Sequence, residues 1–202
     1  MKNKKYELLQ NDTKEHFGRK LYRIKALVSI GLSIEPGTLG GYIESEKNLS
    51  VSGDAWVYGN ARVYGNARVS GDAWVSDNAL VSGDAWVSGD ARVSGNALVS
   101  GNARVSCNAL VSGDAWVSGD ALVENKSAIQ TYSGVGSDFA TLTVYRTKNG
   151  IELTRGCFRG SLAQFRDAVR KKHGEESKTG KNYLGICNLI AHWFDIDWGI
   201  ES

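Results

Sequence analysis

The chain has 202 residues, 42% of them hydrophobic and 23% charged, with a net charge of +2, which is typical of a soluble protein of one or two domains. It contains no apolar run as long as a membrane span, and its Lys-rich first residues lack the apolar core of a signal peptide, so we expect a cytoplasmic protein that does not bind a membrane. Its three cysteines, Cys107, Cys157 and Cys187, have no C-x-x-C spacing, which argues against a disulfide framework or a zinc knuckle.

The N-terminal region, residues 1–48, is predicted to be a β cap. Residues 5–28 alternate apolar and polar side chains around the polar stretch NDTKEHFGRK, which predicts a hairpin with that stretch as its tip. The only proline, Pro36, and the pair Gly40 and Gly41 then predict a turn and a close approach of the backbone. The repeats that follow would otherwise end in an unpaired sheet edge, so we expect this region to cover that edge.

From Val51 to Val123 the sequence repeats a six-residue unit, V-x-G-[DN]-A-x, without insertion or deletion. A period of six is neither helical nor heptad, so each unit is predicted to be a short extended segment, with valine and alanine turned inward, followed by a corner. Glycine, found in ten of twelve units, and the Asp or Asn after it tolerate the positive φ that such a corner needs. Three units would close one coil, so the twelve units predict four coils stacked as parallel β-ladders about 4.8 Å apart.

The repeat fades after Val123 but keeps its phase, because Ile129 and Val135 fall at the next two valine positions. We therefore expect a fifth, degenerate coil. This gives a solenoid domain of residues 49–136.

Residues 137–202 are predicted to form a small C-terminal α+β domain. Asn149 and Gly150 lie between two alternating segments, which is a strong hairpin signal. A capping box at Ser161 and Gln164 predicts a helix that ends near Gly174. A second helix, about Lys181 to Asp195, would carry one apolar stripe, formed by Tyr183, Ile186, Cys187, Ile190, Trp193 and Phe194.

The V-x-G-[DN]-A-x units resemble those of the hexapeptide-repeat family, whose members form left-handed parallel β-helices. The handedness comes from this resemblance alone, because parallel crossovers are generally right-handed. The flanks, PGTLGGYIESEKNLS and the run from GVGSDFATLTV to TRGCFRGSLAQFRDAVRKKHG, resemble a group of phage and prophage hexapeptide-repeat proteins that brings no established activity. The resemblance implies a mainly β fold, a left-handed parallel β-helix with three hexads per coil and four to five coils, between the N-terminal β cap and the C-terminal α+β cap.

Catalysis has little support in the repeats. In the related acyltransferases a catalytic histidine and an acyl-donor site lie between subunits, usually beside a loop that leaves the coils. Here the three histidines, His16, His173 and His192, all lie in the predicted caps, and no loop interrupts residues 51–123. We therefore predict a non-enzymatic protein without catalytic residues, cofactor or metal, and acyl transfer is the alternative enzyme hypothesis.

The residue before each inward valine must point out of a flat face of the solenoid, so stacking by eighteen residues defines three outward columns. Face 1 comprises Trp56, Trp74, Arg92 and Leu110. Face 2 comprises Arg62, Leu80, Leu98 and Trp116. Face 3 comprises Arg68, Trp86, Arg104 and Leu122. A solenoid needs only its inner residues, so these large outward side chains require another explanation.

Three explanations are open. The side chains could stack on their own neighbours along each ladder, since aromatic and cation–π pairs stabilise sheets. They could form a partner interface, because Trp, Tyr and Arg dominate binding energies and a rigid face loses little entropy on docking. Nucleic acid or a nucleotide could stack on the aromatic rings, although residues 49–123 hold 4 basic and 7 acidic side chains, a balance that opposes a phosphate backbone.

Our hypothesis is an interaction protein that presents Trp, Arg and Leu to a protein partner or to a second copy of itself. We expect the largest exposed aromatic side chains around Trp74 on face 1. The predicted binding residues are Trp56, Tyr58, Trp74, Arg92, Trp86, Arg68 and Trp116. The resemblance to phage proteins adds the expectation of a host-directed role in the bacterial cytoplasm, such as inhibition of a defence or regulatory protein.

Overall fold

The computed structural model describes residues 4–136 and 139–196. The chain divides into two compact units, Met1–Ile129 and Gln130–Ser202. The first unit begins with three strands, β1 (Tyr6–His16), β2 (Arg19–Ala26) and β3 (Leu39–Ile43), and a short 3₁₀ helix at Glu46–Asn48. Two-residue strands then recur at every sixth residue: β4 (Trp56–Val57), β5 (Arg62–Val63), β6 (Arg68–Val69), β7 (Trp74–Val75), β8 (Leu80–Val81), β9 (Trp86–Val87), β10 (Arg92–Val93), β11 (Leu98–Val99), β12 (Arg104–Val105), β13 (Leu110–Val111), β14 (Trp116–Val117) and β15 (Leu122–Val123).

These short strands pair in parallel with the strands eighteen residues before and after them. Trp74, for example, lies in register with Trp56 on one side and with Arg92 on the other. Three ladders result, in the orders β4-β7-β10-β13, β5-β8-β11-β14 and β6-β9-β12-β15. Strand β3 adds one more parallel rung beside β5, so the unit is a mainly β, parallel β-solenoid of about five coils.

The interior of the solenoid is built almost entirely from one valine and one alanine per repeat. The twelve valines from Val57 to Val123 and the twelve alanines from Ala55 to Ala121 are each at most 1% exposed. Burial of each valine contributes about 1.5–3 kcal/mol relative to exposure. The corner glycines have positive φ and lie directly above one another; a Cβ on Gly71 would come within 2.8 Å of the amide nitrogen of Gly89. Close packing therefore fixes both the inward and the corner positions of the repeat.

Val51 was expected to be the first inward valine, and this prediction is wrong. Its side chain is 54% exposed on a bend, whereas Leu49 is 1% exposed and forms a parallel bridge with Val69. Leu49 precedes Val57, the next residue at an inward valine position, by eight residues instead of six. This corner therefore contains two extra residues. Val51 lies six residues before Val57, as the repeat requires, so the sequence alone does not reveal this change of register. The first coil begins earlier, in β3, where Ile43 pairs with Val63.

The N-terminal hairpin is confirmed, but its predicted tip is wrong. Strands β1 and β2 pair antiparallel as far as His16 and Arg19, so most of the stretch NDTKEHFGRK is strand and only Phe17 and Gly18 form the turn. Both turn residues have positive φ, 48° and 70°, as a tight two-residue hairpin requires. Strand β2 then pairs with β3, and β3 pairs with β5, so the hairpin extends one solenoid sheet and covers its edge.

Backbone hydrogen bonds join each coil of the solenoid to the next. The amide of Trp56 donates to the carbonyl of Ala73 in the next coil at 3.0 Å, and the same pattern continues along the unit. Several carbonyls of the first repeats, such as those of Gly65 and Ala67, have no preceding repeat to donate to them. Asn48 supplies part of the missing donors, because its side-chain amide donates to the carbonyls of Gly65 and Ala67 at 3.1 and 2.8 Å.

Lys5 supplies the donors at the irregular corner that follows Leu49. Its ammonium group donates to the carbonyls of Ser50, Gly53 and Ala55 at 3.4, 2.8 and 2.7 Å, and the residue is only 5% exposed. Burial lowers the pKa of Lys5, and the nearby carboxylates of the solenoid partly oppose this shift. A buried cation is thus held by backbone carbonyls at the end of the solenoid.

The second unit contains a sheet and two helices. Its strands are β16 (Ile129–Val135), β17 (Ala140–Thr147), β18 (Gly150–Arg155) and β19 (Phe158–Gly160), in the order β16-β17-β18-β19. The helices are α1 (Leu162–His173) and α2 (Lys178–Trp193). Neither helix described here is long and apolar enough to cross a lipid bilayer.

Several predictions for this unit are confirmed. Strands β17 and β18 form the predicted hairpin around Lys148 and Asn149. Helix α1 begins with the predicted capping box, in which the Ser161 hydroxyl accepts from the Gln164 amide at 3.2 Å. Helix α2 begins three residues earlier than predicted, because Ser177 caps it, and Trp193 of its predicted apolar stripe is 50% exposed.

The expected fifth coil after Val123 is not formed as predicted. Ile129 is buried and lies at the end of the solenoid unit, but the strand that continues from it through Val135 belongs to the C-terminal sheet. The additional rung is instead β3, at the opposite end of the repeats.

Val51 and Val87 provide a matched test of the register, because the sequence repeat treats them alike and the structure does not. We expect Val87→Asp to prevent folding, since an unpaired charge cannot be accommodated in a close-packed interior. Val51→Asp should change the free energy of unfolding by no more than about 0.5 kcal/mol. Circular dichroism and denaturant unfolding of both variants measure this difference, and equal effects would contradict the register described above.

Lys5 and Lys4 provide a second matched pair. Lys5→Met keeps the apolar stem but leaves buried carbonyls without a donor, so we expect it to lower the free energy of unfolding by at least about 2 kcal/mol. Lys4 forms only an exposed ion pair with Glu46 at 3.1 Å, and Lys4→Met should cost no more than about 0.5 kcal/mol. Denaturant unfolding of the two variants decides the role of the buried ammonium; a Lys5→Met protein as stable as Lys4→Met would disprove it.

Candidate interaction surface

The expectation that Trp56 is an exposed residue of face 1 is wrong. Trp56 is fully buried, and the ring of Tyr6 packs edge-on against it with ring centroids 6.4 Å apart. The Tyr6 hydroxyl is anchored by donation to the carbonyl of Leu49 at 2.7 Å. The N-terminal cap therefore covers the first rung of face 1, a tertiary contact that the repeat pattern could not reveal.

The rest of face 1 is only partly open. Trp74 is half-buried and lies in register with the exposed Arg92, and Leu110, the last member, is 40% exposed. Tyr58, on the other side of the inward valine, is 46% exposed. The structure brings Trp74 and Arg92 together as neighbours, but the broad aromatic surface expected around Trp74 loses one of its two tryptophans, Trp56.

Face 3 presents the most exposed tryptophan of the solenoid unit. Trp86 is 45% exposed and lies in register between Arg68 and Arg104, both of which are exposed. Its indole N–H donates to the hydroxyl of Ser70 at 2.9 Å, and the guanidinium of Arg104 lies 5.9 Å from the ring centroid. Within the described residues, neither arginine forms an ion pair. The ring is therefore held in place while much of its surface stays accessible.

The corners beside face 3 are acidic and hydrogen-bonded along the solenoid. The side-chain amide of Asn66 donates to Asp84 at 2.9 Å, and that of Asn102 donates to Asp120 at 3.0 Å. These corners carry Asp84 and Asp120 in the column of repeats that borders face 3. A long polyanion would meet this negative charge on approach, whereas a partner that contacts only the Trp86 column would not.

Face 2 is the least open of the three. Its first member, Arg62, contacts His16 of the cap, with a guanidinium nitrogen 3.2 Å from the imidazole Nδ1. Burial and the positive charge of Arg62 both lower the pKa of His16. Leu80 and Leu98 are half-buried, and the face ends at Trp116, which is 37% exposed.

The three histidines lie in three different elements and environments. His16 ends β1 and packs against the ring of Tyr64 at 5.3 Å. His173 ends helix α1 and stacks on Tyr183 at 5.5 Å, and His192 is exposed in the last turn of α2. Each is accounted for by packing or by its position on a helix surface.

The predicted binding residues thus divide among three faces. Arg68 and Trp86 lie together, as do Trp74 and Arg92, while Trp116 is on a third face. Sequence reasoning missed Arg104 as a member of the site, although its position eighteen residues after Trp86 already placed the two side by side. We define the Trp86 cluster as Arg68, Trp86 and Arg104.

Comparison with known proteins concerns the repeats. Residues 61–77, 73–89 and 91–106 match the family model described as YdcK Beta solenoid repeat. No curated protein is significantly similar to the chain. The matched segments lie within the regular ladders, so they support a β-solenoid repeat family and carry no information on activity, ligand or partner.

Trp56 and Trp86 should respond very differently to truncation. We expect Trp56→Ala to lower the free energy of unfolding by about 3–5 kcal/mol, because it empties a fully buried site under the cap. Trp86→Ala should cost about 1 kcal/mol or less, since the ring is 45% exposed and its removal opens no cavity in the interior. Denaturant unfolding measures both values. Similar costs for the two variants would show that the ladder side chains act mainly through stacking on one another.

Proposed function

We propose that this chain is a non-enzymatic interaction protein, a rigid β-solenoid that binds another protein, or a second copy of itself, through the Trp86 cluster on face 3. The observation that carries the proposal is a tryptophan that is 45% exposed yet fixed by a hydrogen bond to Ser70 and by the guanidinium of Arg104. Tryptophan and arginine are the residue types that most often dominate interface energies.

Rigidity favours this use of the face. The neighbouring backbone is paired on both sides, so docking orders no loop, and the Trp86 rotamer is already restrained. Binding therefore loses less conformational entropy than it would with a mobile surface. Stacking within the ladder is the competing explanation, but the contacts with Ser70 and Arg104 still leave 45% of Trp86 exposed and without a role.

The same geometry narrows the class of partner. The acidic corners and the balance of 4 basic and 7 acidic side chains over residues 49–123 disfavour a nucleic-acid backbone. An aromatic or carboxylate-bearing protein surface could stack on Trp86 and accept paired hydrogen bonds from the two guanidinium groups. We further propose left-handed hexapeptide-repeat coils and a host-directed role in the bacterial cytoplasm, which rest on the resemblance of the repeats and their flanks.

The test compares Trp86→Ala with Trp116→Ala, a matched tryptophan truncation on face 2. Light scattering of the purified chain measures self-association. For a partner, a protein is captured from a bacterial lysate and purified, and titration then measures its binding. We expect Trp86→Ala to weaken the association by about 2 kcal/mol, or roughly 30-fold, and Trp116→Ala to leave it unchanged. Arg104→Ala should weaken it as well.

An association that survives both Trp86→Ala and Arg104→Ala would overturn the assignment to face 3. Loss of binding with Trp116→Ala alone would move the interface to face 2. Circular dichroism of each variant ensures that a loss of binding does not reflect a loss of folding.

A further inference from the structure

The C-terminal unit contains a cavity that no repeat pattern predicts. It has a volume of about 300 Å³ and lies between the turn that joins β18 to β19, the last turns of α1 and one residue of α2. This volume is at the lower end of the range for small-molecule sites. All residues that line the cavity belong to this unit.

The inner wall of the cavity is apolar and rigid. Phe165, Val169 and Tyr183 are at most 5% exposed and contribute to it. Phe165 makes edge-on contacts with Phe158 at 5.1 Å and with Tyr183 at 5.7 Å between ring centroids. Edge-on packing restrains these rings, so the cavity keeps one shape and offers flat surfaces to a ligand.

The mouth of the cavity is basic. Arg155, Lys172 and His173 line it, and no Asp or Glu of the described residues does. The Arg155 guanidinium is held in place, because it donates to the carbonyl of Val135 at 2.6 Å and lies 5.1 Å from the centroid of the Tyr183 ring. His173 stacks on the same ring. Cationic and aromatic groups are therefore positioned before any ligand arrives.

Among the described lysines of the two helices, Lys171, Lys172 and Lys178 form no ion pair, and of these three only Lys172 lines the cavity. Arg170 pairs with Asp167 and Glu175, and Lys181 pairs with Glu176. The ammonium group of Lys172 forms no ion pair with any residue described in the structure, and it lies at the cavity. A cation in the last turn of a helix also interacts favourably with the helix dipole. A test of Lys172 therefore has to distinguish this stabilising effect from ligand binding.

We propose that this cavity binds a small organic anion with a flat apolar body, whose ring lies against Phe158 and Phe165 and whose charge is paired by Lys172. The shared chemistry is that of an aromatic carboxylate or a nucleoside monophosphate. A charged group beside an apolar wall is favoured only if its charge is paired, and Lys172 supplies that pairing at the mouth.

Cys157 provides a direct reporter, because it lines the cavity and is exposed. The only other exposed cysteine is Cys107, which occupies a solenoid corner with a φ of 53°, so Cys107→Gly restores the residue found at most corners. In the full chain carrying Cys107→Gly, the rate of alkylation of Cys157 by iodoacetamide is measured by intact mass. The probes are naphthalene-2-carboxylate, its uncharged analogue naphthalene-2-carboxamide, and adenosine 5′-monophosphate.

We expect at least one of the two anions to slow the alkylation of Cys157 saturably. If the carboxylate is the anion that protects, the carboxamide should bind at least tenfold more weakly. Lys172→Met should weaken binding of the protecting anion at least fivefold. Lys171→Met, the control, removes a neighbouring helix-end cation that does not line the cavity, and it should have no effect. The anion that protects Cys157 shows whether the site takes a carboxylate or a phosphate.

Three results would overturn the proposal. The first is no protection by either anion with a correctly folded chain. The second is equal protection by the carboxylate and the carboxamide, which would make the cavity merely apolar. The third is an equal effect of Lys172→Met and Lys171→Met, which would assign both lysines to the helix dipole. Circular dichroism of each variant, together with the unchanged alkylation rate of the free protein, excludes misfolding as the cause.

Discussion

Backbone hydrogen bonding between coils is the constraint on which the solenoid depends. Carbonyls such as those of Ala73 and Ala79 accept from amides of the preceding coil, but the corresponding carbonyls of the first repeats, including those of Ala55, Ala61 and Ala67, have no preceding repeat to donate to them. Buried acceptors without donors are costly, and the chain meets them with three different donors: the backbone of β3, the side-chain amide of Asn48 and the ammonium of Lys5. A cap that merely covered the edge with apolar side chains would leave these carbonyls unsatisfied.

Inside the coils, packing leaves little choice of residue. Valine and alanine fill the interior, and the stacked corners leave no room for a Cβ at positions such as Gly71. The outward positions carry no comparable restriction. Their residues therefore reflect either ladder stacking or recognition, and a ring such as that of Trp86, with half its surface accessible, has more surface than stacking uses.

The regular part of this architecture follows from the sequence, because a strict period of six with a corner glycine permits few alternatives. What the sequence could not reveal are contacts between the repeats and the rest of the chain. Val51 continues the valine spacing but is exposed. Leu49 takes the inward position and bridges to Val69, and the two extra residues after it are not apparent from the valine spacing. Trp56 and Trp86 each lie in the same seven-residue sequence, VSGDAWV, yet Trp56 is buried against Tyr6, fifty residues away. The C-terminal cavity is equally hidden, because its wall combines a turn with residues from two helices.

The distribution of charge differs between the two surfaces for which binding is proposed. Over residues 49–123 acidic side chains outnumber basic ones by 7 to 4, whereas over 124–202 there are 11 basic and 9 acidic side chains. A flat face bordered by carboxylates suits a partner that docks locally on a tryptophan between two arginines. A concave site with a basic mouth suits an anion small enough to enter it. The net charges of the two stretches, −3 and +2, differ in sign, and this difference agrees with the proposed anion site in the C-terminal unit.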